Sequence, residues 1–139
     1  MSDNQRKLKY FSFAIMIFAL LHLIGGAFLI AASPLAAGLR LEVAGDMTDG
    51  VIASEVLGIV AIIVGVYCLI VGVMGARSAN NPRHVGGFKK LDMALILVAF
   101  IEFLMSLTTG QISWTELAIA CVGIFAYLYA VKANEEVLG

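Results

Sequence analysis

Four long apolar runs govern what this chain can become: residues 10–32, 51–75, 91–109 and 113–131. A helix crosses the ~30 Å hydrocarbon core of a bilayer with about 20 apolar residues, and each run is close to or above that length. In hydrocarbon every backbone N–H and C=O must be paired internally. The runs lack the period-2 alternation of a membrane barrel, so helices are the workable solution. The expected class is an all-α, integral membrane four-helix bundle forming a single transmembrane domain over residues 1–139. Composition agrees: 61% of the 139 residues are hydrophobic and 14% charged, with a mean hydropathy of +0.98. A soluble domain holds about 45–50% apolar and about 25% charged residues, so a soluble enzyme is excluded. A formal net charge of -1 argues against a nucleic-acid partner, which would call for a basic face.

The first run follows Arg6, Lys7 and Lys9 and ends in Ala31-Ala32-Ser33, as a signal peptide would. Its apolar core is far longer than the ~7–15 residues of a signal h-region, and Pro34 follows, so it reads as a retained span. Basic residues set the expected orientation. Arg6, Lys7, Lys9, Arg77, Arg83, Lys89, Lys90 and Lys132 fall on one side of the membrane, and only Arg40 on the other. By the positive-inside rule both termini are cytoplasmic (N-in/C-in), in a cell membrane. The outer 1–2 connection carries Glu42, Asp46 and Asp49, with Leu35, Leu39, Leu41 and Val43 as a candidate surface-lying segment. The outer 3–4 connection is a tight Thr108-Thr109-Gly110-Gln111 turn, and Trp114 marks the interface. The inner connection, Ser78-Ala79-Asn80-Asn81-Pro82 and then Gly86-Gly87, reads as a loop that stops the second helix, with Asp92 expected to cap the third. Its cations meet anionic headgroups or a docking partner.

The second run holds the most specific pattern. Alternate steps of four and three from Ser54 give Gly58, Ala61, Gly65, Cys68, Gly72 and Gly75, a small-residue face about 31 Å long. Membrane helices associate through close packing at small residues, and a 3.5-residue period indicates a left-handed crossing. A weaker version on the fourth run is Glu116, Ile119, Gly123, Ala126, Ala130 and Ala133. Such seams pack within the chain or form a contact with a second copy or another membrane protein.

Ionisable groups in hydrocarbon are costly, at least ~2.5–3.5 kcal/mol at the bilayer centre, and usually face the interior. His22 and Glu102 lie within about 3 Å of the same depth, while Glu55 and Glu116 sit about 12 and 9 Å outward of their midpoints. Glu102 shares a helical face with Ala99, Ser106 and Thr109, and His22 with Ser12, Ala19, Gly26 and Ser33. Convergence of these faces would build an acidic pocket open outward. Either His22 and Glu102 staple two helices, or Glu102 exchanges a proton or binds a cation with His22 as relay. Glu55 and Glu116 are close enough to the headgroups to be hydrated. No metal is expected, since a Glu-x-x-His pair is missing. No cofactor is expected either: His84 lies on the inner connection, so one chain cannot make a bis-histidine haem site. Cys68 and Cys121 differ in depth by roughly 6 Å and read as small packing residues rather than a disulfide. Hydrolase, zinc-protease and phosphate-loop motifs are missing, so no catalytic residues are assigned and an enzyme is disfavoured.

The segment Gly75-Ala76-Arg77-Ser78-Ala79-Asn80-Asn81-Pro82, closing the glycine-rich second run, resembles the G-A-R-x-A-N-x-P ending of uncharacterised small four-span bacterial membrane proteins. The resemblance implies the four-span layout and no activity. Small multidrug exporters share the size but carry an essential glutamate in the first span, where this chain has His22 and no acid. The expected role is a self-associating structural or accessory subunit, with the bilayer and either a second copy or another membrane protein as partners. The alternative is a proton- or cation-coupled carrier.

Overall fold

The computed structural model describes residues 1–43, 45–108, 110 and 112–138. Among these the fold is four long helices and one short hairpin: α1 (Asp3–Ala32), β1 (Arg40–Val43), β2 (Asp46–Asp49), α2 (Gly50–Asn80), α3 (Val85–Thr108) and α4 (Trp114–Leu138). All four helices are long and apolar enough to cross a membrane. At 30 and 31 residues, α1 and α2 are about 45 Å long and outreach the ~30 Å core. The apolar run sets the minimum helix; polar residues at its ends extend it.

The helix ends show why. Ser2 and Gln5 form a reciprocal cap on α1: the Ser2 N–H donates to Gln5 Oε1 at 2.8 Å, and the Gln5 N–H to Ser2 Oγ at 3.2 Å. This satisfies two of the otherwise orphaned groups at the helix start. Asp49 caps α2, its Oδ1 accepting from the Val51 N–H at 2.9 Å. After α1 a 3-10 turn (Ser33–Ala36) leads to the antiparallel hairpin, which pairs Arg40 with Asp49 and Val43 with Asp46. Gly45, at φ +90, supplies the left-handed backbone its turn requires. The expected surface-lying segment is thus a 3-10 turn and a hairpin, with Leu35, Leu39 and Leu41 exposed.

Two corrections concern the 2–3 connection. Helix α2 continues through Ser78, Ala79 and Asn80, and only Asn81 and the 3-10 turn Pro82–His84 separate it from α3. Gly86 and Gly87 are helical, and Asp92 lies two turns inside α3 instead of capping it. Glycine costs about 1 kcal/mol per helical position, but burial of Val85 and Phe88 flanking the pair offsets that penalty.

The chain divides into two compact units. The first comprises residues 1–18 and 68–139, and there α3 packs on α4. Its buried stripe on α3 is Val85, Phe88, Asp92, Leu95 and Ala99; on α4 it includes Ile119, Gly123, Ala126, Ala130 and Ala133. Both advance by threes and fours, the 3.5-residue period of closely packed helices. One end of this unit is tied together by polar contacts. Ser2 and Asn4 donate to the Glu136 carboxylate, and Asn134 Nδ2 donates to the Pro82 carbonyl at 2.8 Å. Nearby, Phe11 stacks on Phe125 and Tyr129 at centroid distances of 5.4 and 5.6 Å, with Lys7 and Lys132 both over the Tyr129 ring. The second unit, residues 19–67, holds the rest of α1 and α2 and the hairpin.

Candidate functional site

Glycine on α2 brings backbones into contact in each unit. In the second unit, a Cβ at Gly58 would stand 2.6 Å from Ile30 Cγ1 and 2.8 Å from the Gly26 carbonyl oxygen. One at Gly65 would stand 2.9 Å from Leu23 Cγ and 3.0 Å from the Ala19 oxygen. In the first unit, Gly72 meets Met16 and the Ser12 oxygen, and Gly75 meets Ser12 and Phe88. Ser54 and Cys68 are buried, and Ala61 is half-buried. The neighbouring surface at the four glycines is α1 of the same chain, joined by Phe88 of α3 at Gly75.

The candidate polar residues divide between the units: His22 and Glu55 belong to the second, Glu102 and Glu116 to the first. Glu55 is exposed and accepts from Ser33 Oγ at 3.3 Å, a pair near the hairpin end of α1 and α2 rather than a core site. His22, Glu102 and Glu116 are half-buried, and each makes a further polar, ring or electrostatic contact. Glu116 and Glu102 both lie within electrostatic reach of the fully buried Cys68. Ser106, one turn beyond Glu102, donates to the Phe103 carbonyl at 2.7 Å and accepts from the Ser113 N–H at 3.1 Å, linking the end of α3 to the start of α4. Thr109, expected on the same face, lies outside the described residues, as does Gln111 of the turn. Cys68 and Cys121 are free thiols, the first buried and the second exposed, so Cys121 is not the packing residue expected of it. Among the described residues no group of three or more His, Cys, Asp and Glu is gathered to hold a metal ion.

One polar residue that sequence reasoning had placed elsewhere stands out. Asp92 is fully buried, and neither carboxylate oxygen has a hydrogen-bond partner among the described residues. It points at Gly123 of α4, whose missing side chain leaves room for it: a Cβ there would stand 3.3 Å from Asp92 Oδ1 and 2.8 Å from Ile96 Cγ1. The signal that places it was available in the spacing 85, 88, 92, 95, 99, which puts Asp92 on the apolar stripe of α3. Reading Gly86-Gly87 as loop hid that stripe.

No protein-family model, curated protein or solved structure matches the chain. Function therefore has to be argued from the residues themselves.

Proposed function

We propose that this chain is a small multi-pass protein of the cell membrane, with both termini cytoplasmic, that serves as a structural or accessory subunit. The observation that carries the reading is the division of its helix surfaces. Small residues on α2 and α4 are turned to neighbours within the chain. Large apolar residues such as Phe28, Ile63 and Leu97 stand outward, each more than half exposed. In a bilayer those outward faces meet acyl chains or the helices of another protein, and with the glycine seam occupied, self-association uses them. The grouping of the N-terminus, the 2–3 connection and the end of α4 at one end of the first unit supports the shared sidedness of the basic residues. Energy transfer between labelled copies in vesicles should rise with protein-to-lipid ratio and fall when unlabelled chain is added. A chain that stays monomeric at every density and purifies alone from its native membrane would overturn the proposal.

A second reading, a proton- or cation-coupled carrier, draws on the half-buried Glu102 within the apolar helix α3. Under it, Glu102→Gln leaves assembly intact and abolishes transport, whereas Gly65→Leu disrupts packing under either reading.

A further inference from the structure

The geometry points to Asp92 as a proton-binding site inside the α3–α4 contact, its carboxyl held as the neutral acid against Gly123. This goes beyond the structural role proposed above and does not depend on it.

The carboxyl is 0% exposed, its oxygens have no hydrogen-bond partner among the described residues, and the facing surface is a glycine flanked by Ile96. An ionised carboxylate is the most expensive occupant of such a space, since a buried charge without a partner costs more than an uncharged polar group without one. Binding one proton turns the carboxylate into a neutral acid, with one O–H bond formed and no other reactant required. A metal cation would require about six oxygen ligands, and the described residues bring no cluster of acidic, imidazole or thiol groups to this point. The donor set therefore suits a proton and not a metal ion.

Titratable and charged groups on the elements packed here define the alternatives. On α4 they are Tyr127 one turn from Gly123 on one side and Glu116 two turns away on the other, with Cys121 exposed and Tyr129, Lys132, Glu135 and Glu136 further along, and the 3-10 turn packed on α4 adds Arg83 and His84. The part of α2 that reaches α3 through Gly75 and Phe88 carries Cys68 and Arg77. The adjoining part of α1 carries Asp3, Arg6, Lys7, Lys9 and Tyr10, and α3 itself Lys89, Lys90 and Glu102. None of them is hydrogen-bonded to Asp92. Position along α3 gives the exchange a direction. Asp92 is seven residues, about 10 Å, from Val85, and sixteen residues, about 24 Å, from Thr108. The shorter route to water runs to the end that holds Pro82, Asn134 and Lys132.

The test uses the full chain in lipid nanodiscs. Infrared spectra at neutral pH should contain the carbonyl band of a protonated carboxylic acid. Asp92→Asn should remove it and Glu102→Gln should leave it, with no response to added sodium at constant pH. A band unchanged by Asp92→Asn overturns the proposal, and one abolished by sodium makes the site a cation site instead. A measurement on the unaltered chain guards against a variant that fails to fold. A lipid-soluble carbodiimide, which adds to protonated carboxyls, should modify Asp92 in preference to the exposed Glu42, Asp46 and Asp49, with the yield falling as pH rises. Modification of the exposed acids with Asp92 untouched at every pH would equally overturn it.

Discussion

Two adjacent glycines on α1 offer a controlled measurement of helix packing. A Cβ added at Gly26 would stand 2.6 Å from the Gly58 carbonyl oxygen, 2.8 Å from Ile62 Cγ1 and 3.0 Å from the Ile62 nitrogen. One added at Gly25 would meet nothing within 4 Å. Carbon contacts at rest lie near ~3.5–4.0 Å, so Gly26→Ala forces the two backbones apart locally by roughly 0.5–1 Å. Two of the three obstructing atoms are backbone and cannot swing away. Overpacking of this kind costs about 1–3 kcal/mol. Replacing glycine by alanine in a helix returns up to about 1 kcal/mol, but that gain is common to both positions. The difference between the variants therefore isolates the packing term: Gly26→Ala should be about 1–3 kcal/mol less stable than Gly25→Ala, which should match or slightly exceed the unaltered chain. Reversible unfolding in mixed micelles, titrated with a denaturing detergent and followed by helical circular dichroism, reads both. Coincident midpoints would refute the close approach of α1 and α2 at Gly26 and Gly58.

The same logic applies to other places in the fold. Gly123→Ala, which meets Ile96 and Asp92, should destabilise the α3–α4 contact by about 1–3 kcal/mol, while Gly86→Ala, with open space around it, should not. Asp49→Ala removes the cap of α2 and should cost about 0.5–2 kcal/mol, seen as faster amide exchange in its first turn. Glu136→Ala frees Ser2 and Asn4; because the site is exposed the loss should stay below about 1 kcal/mol, with exchange rising over residues 2–5.

The number and order of the helices were legible because hydrophobic length is the strongest signal a membrane sequence carries. The small-residue face of α2 was legible for a related reason: its period of 3.5 is a property of the helix and does not depend on the partner. What the face packs against was not, since Gly58 and Gly65 are compatible with any close helix, and only the coordinates identify Ile30, Leu23 and α1. Local punctuation misled where packing outweighed it. Gly86-Gly87 and the Asn-rich segment before Pro82 have the chemistry of a loop, yet buried Ala79, Val85 and Phe88 draw them into helices. Asp92 was misread with them, because a carboxylate near an expected helix start is ordinarily a cap. Among the candidate acids, the position of Glu55 in its run already places it near the start of α2, beside the hairpin. Its pairing with Ser33 depends on a 3-10 turn that no apolar period announces.

A four-span topology with the basic ends on one side is open to sided cysteine labelling. Starting from a chain with Cys68 and Cys121 replaced by alanine, single cysteines at Ser2, Thr48, Arg83 and Val137 would be exposed to a membrane-impermeant thiol reagent in right-side-out vesicles. Labelling is expected at Thr48→Cys alone, with the other three reacting only after the vesicles are opened. Labelling of Ser2→Cys or Arg83→Cys from the same side as Thr48→Cys would contradict it.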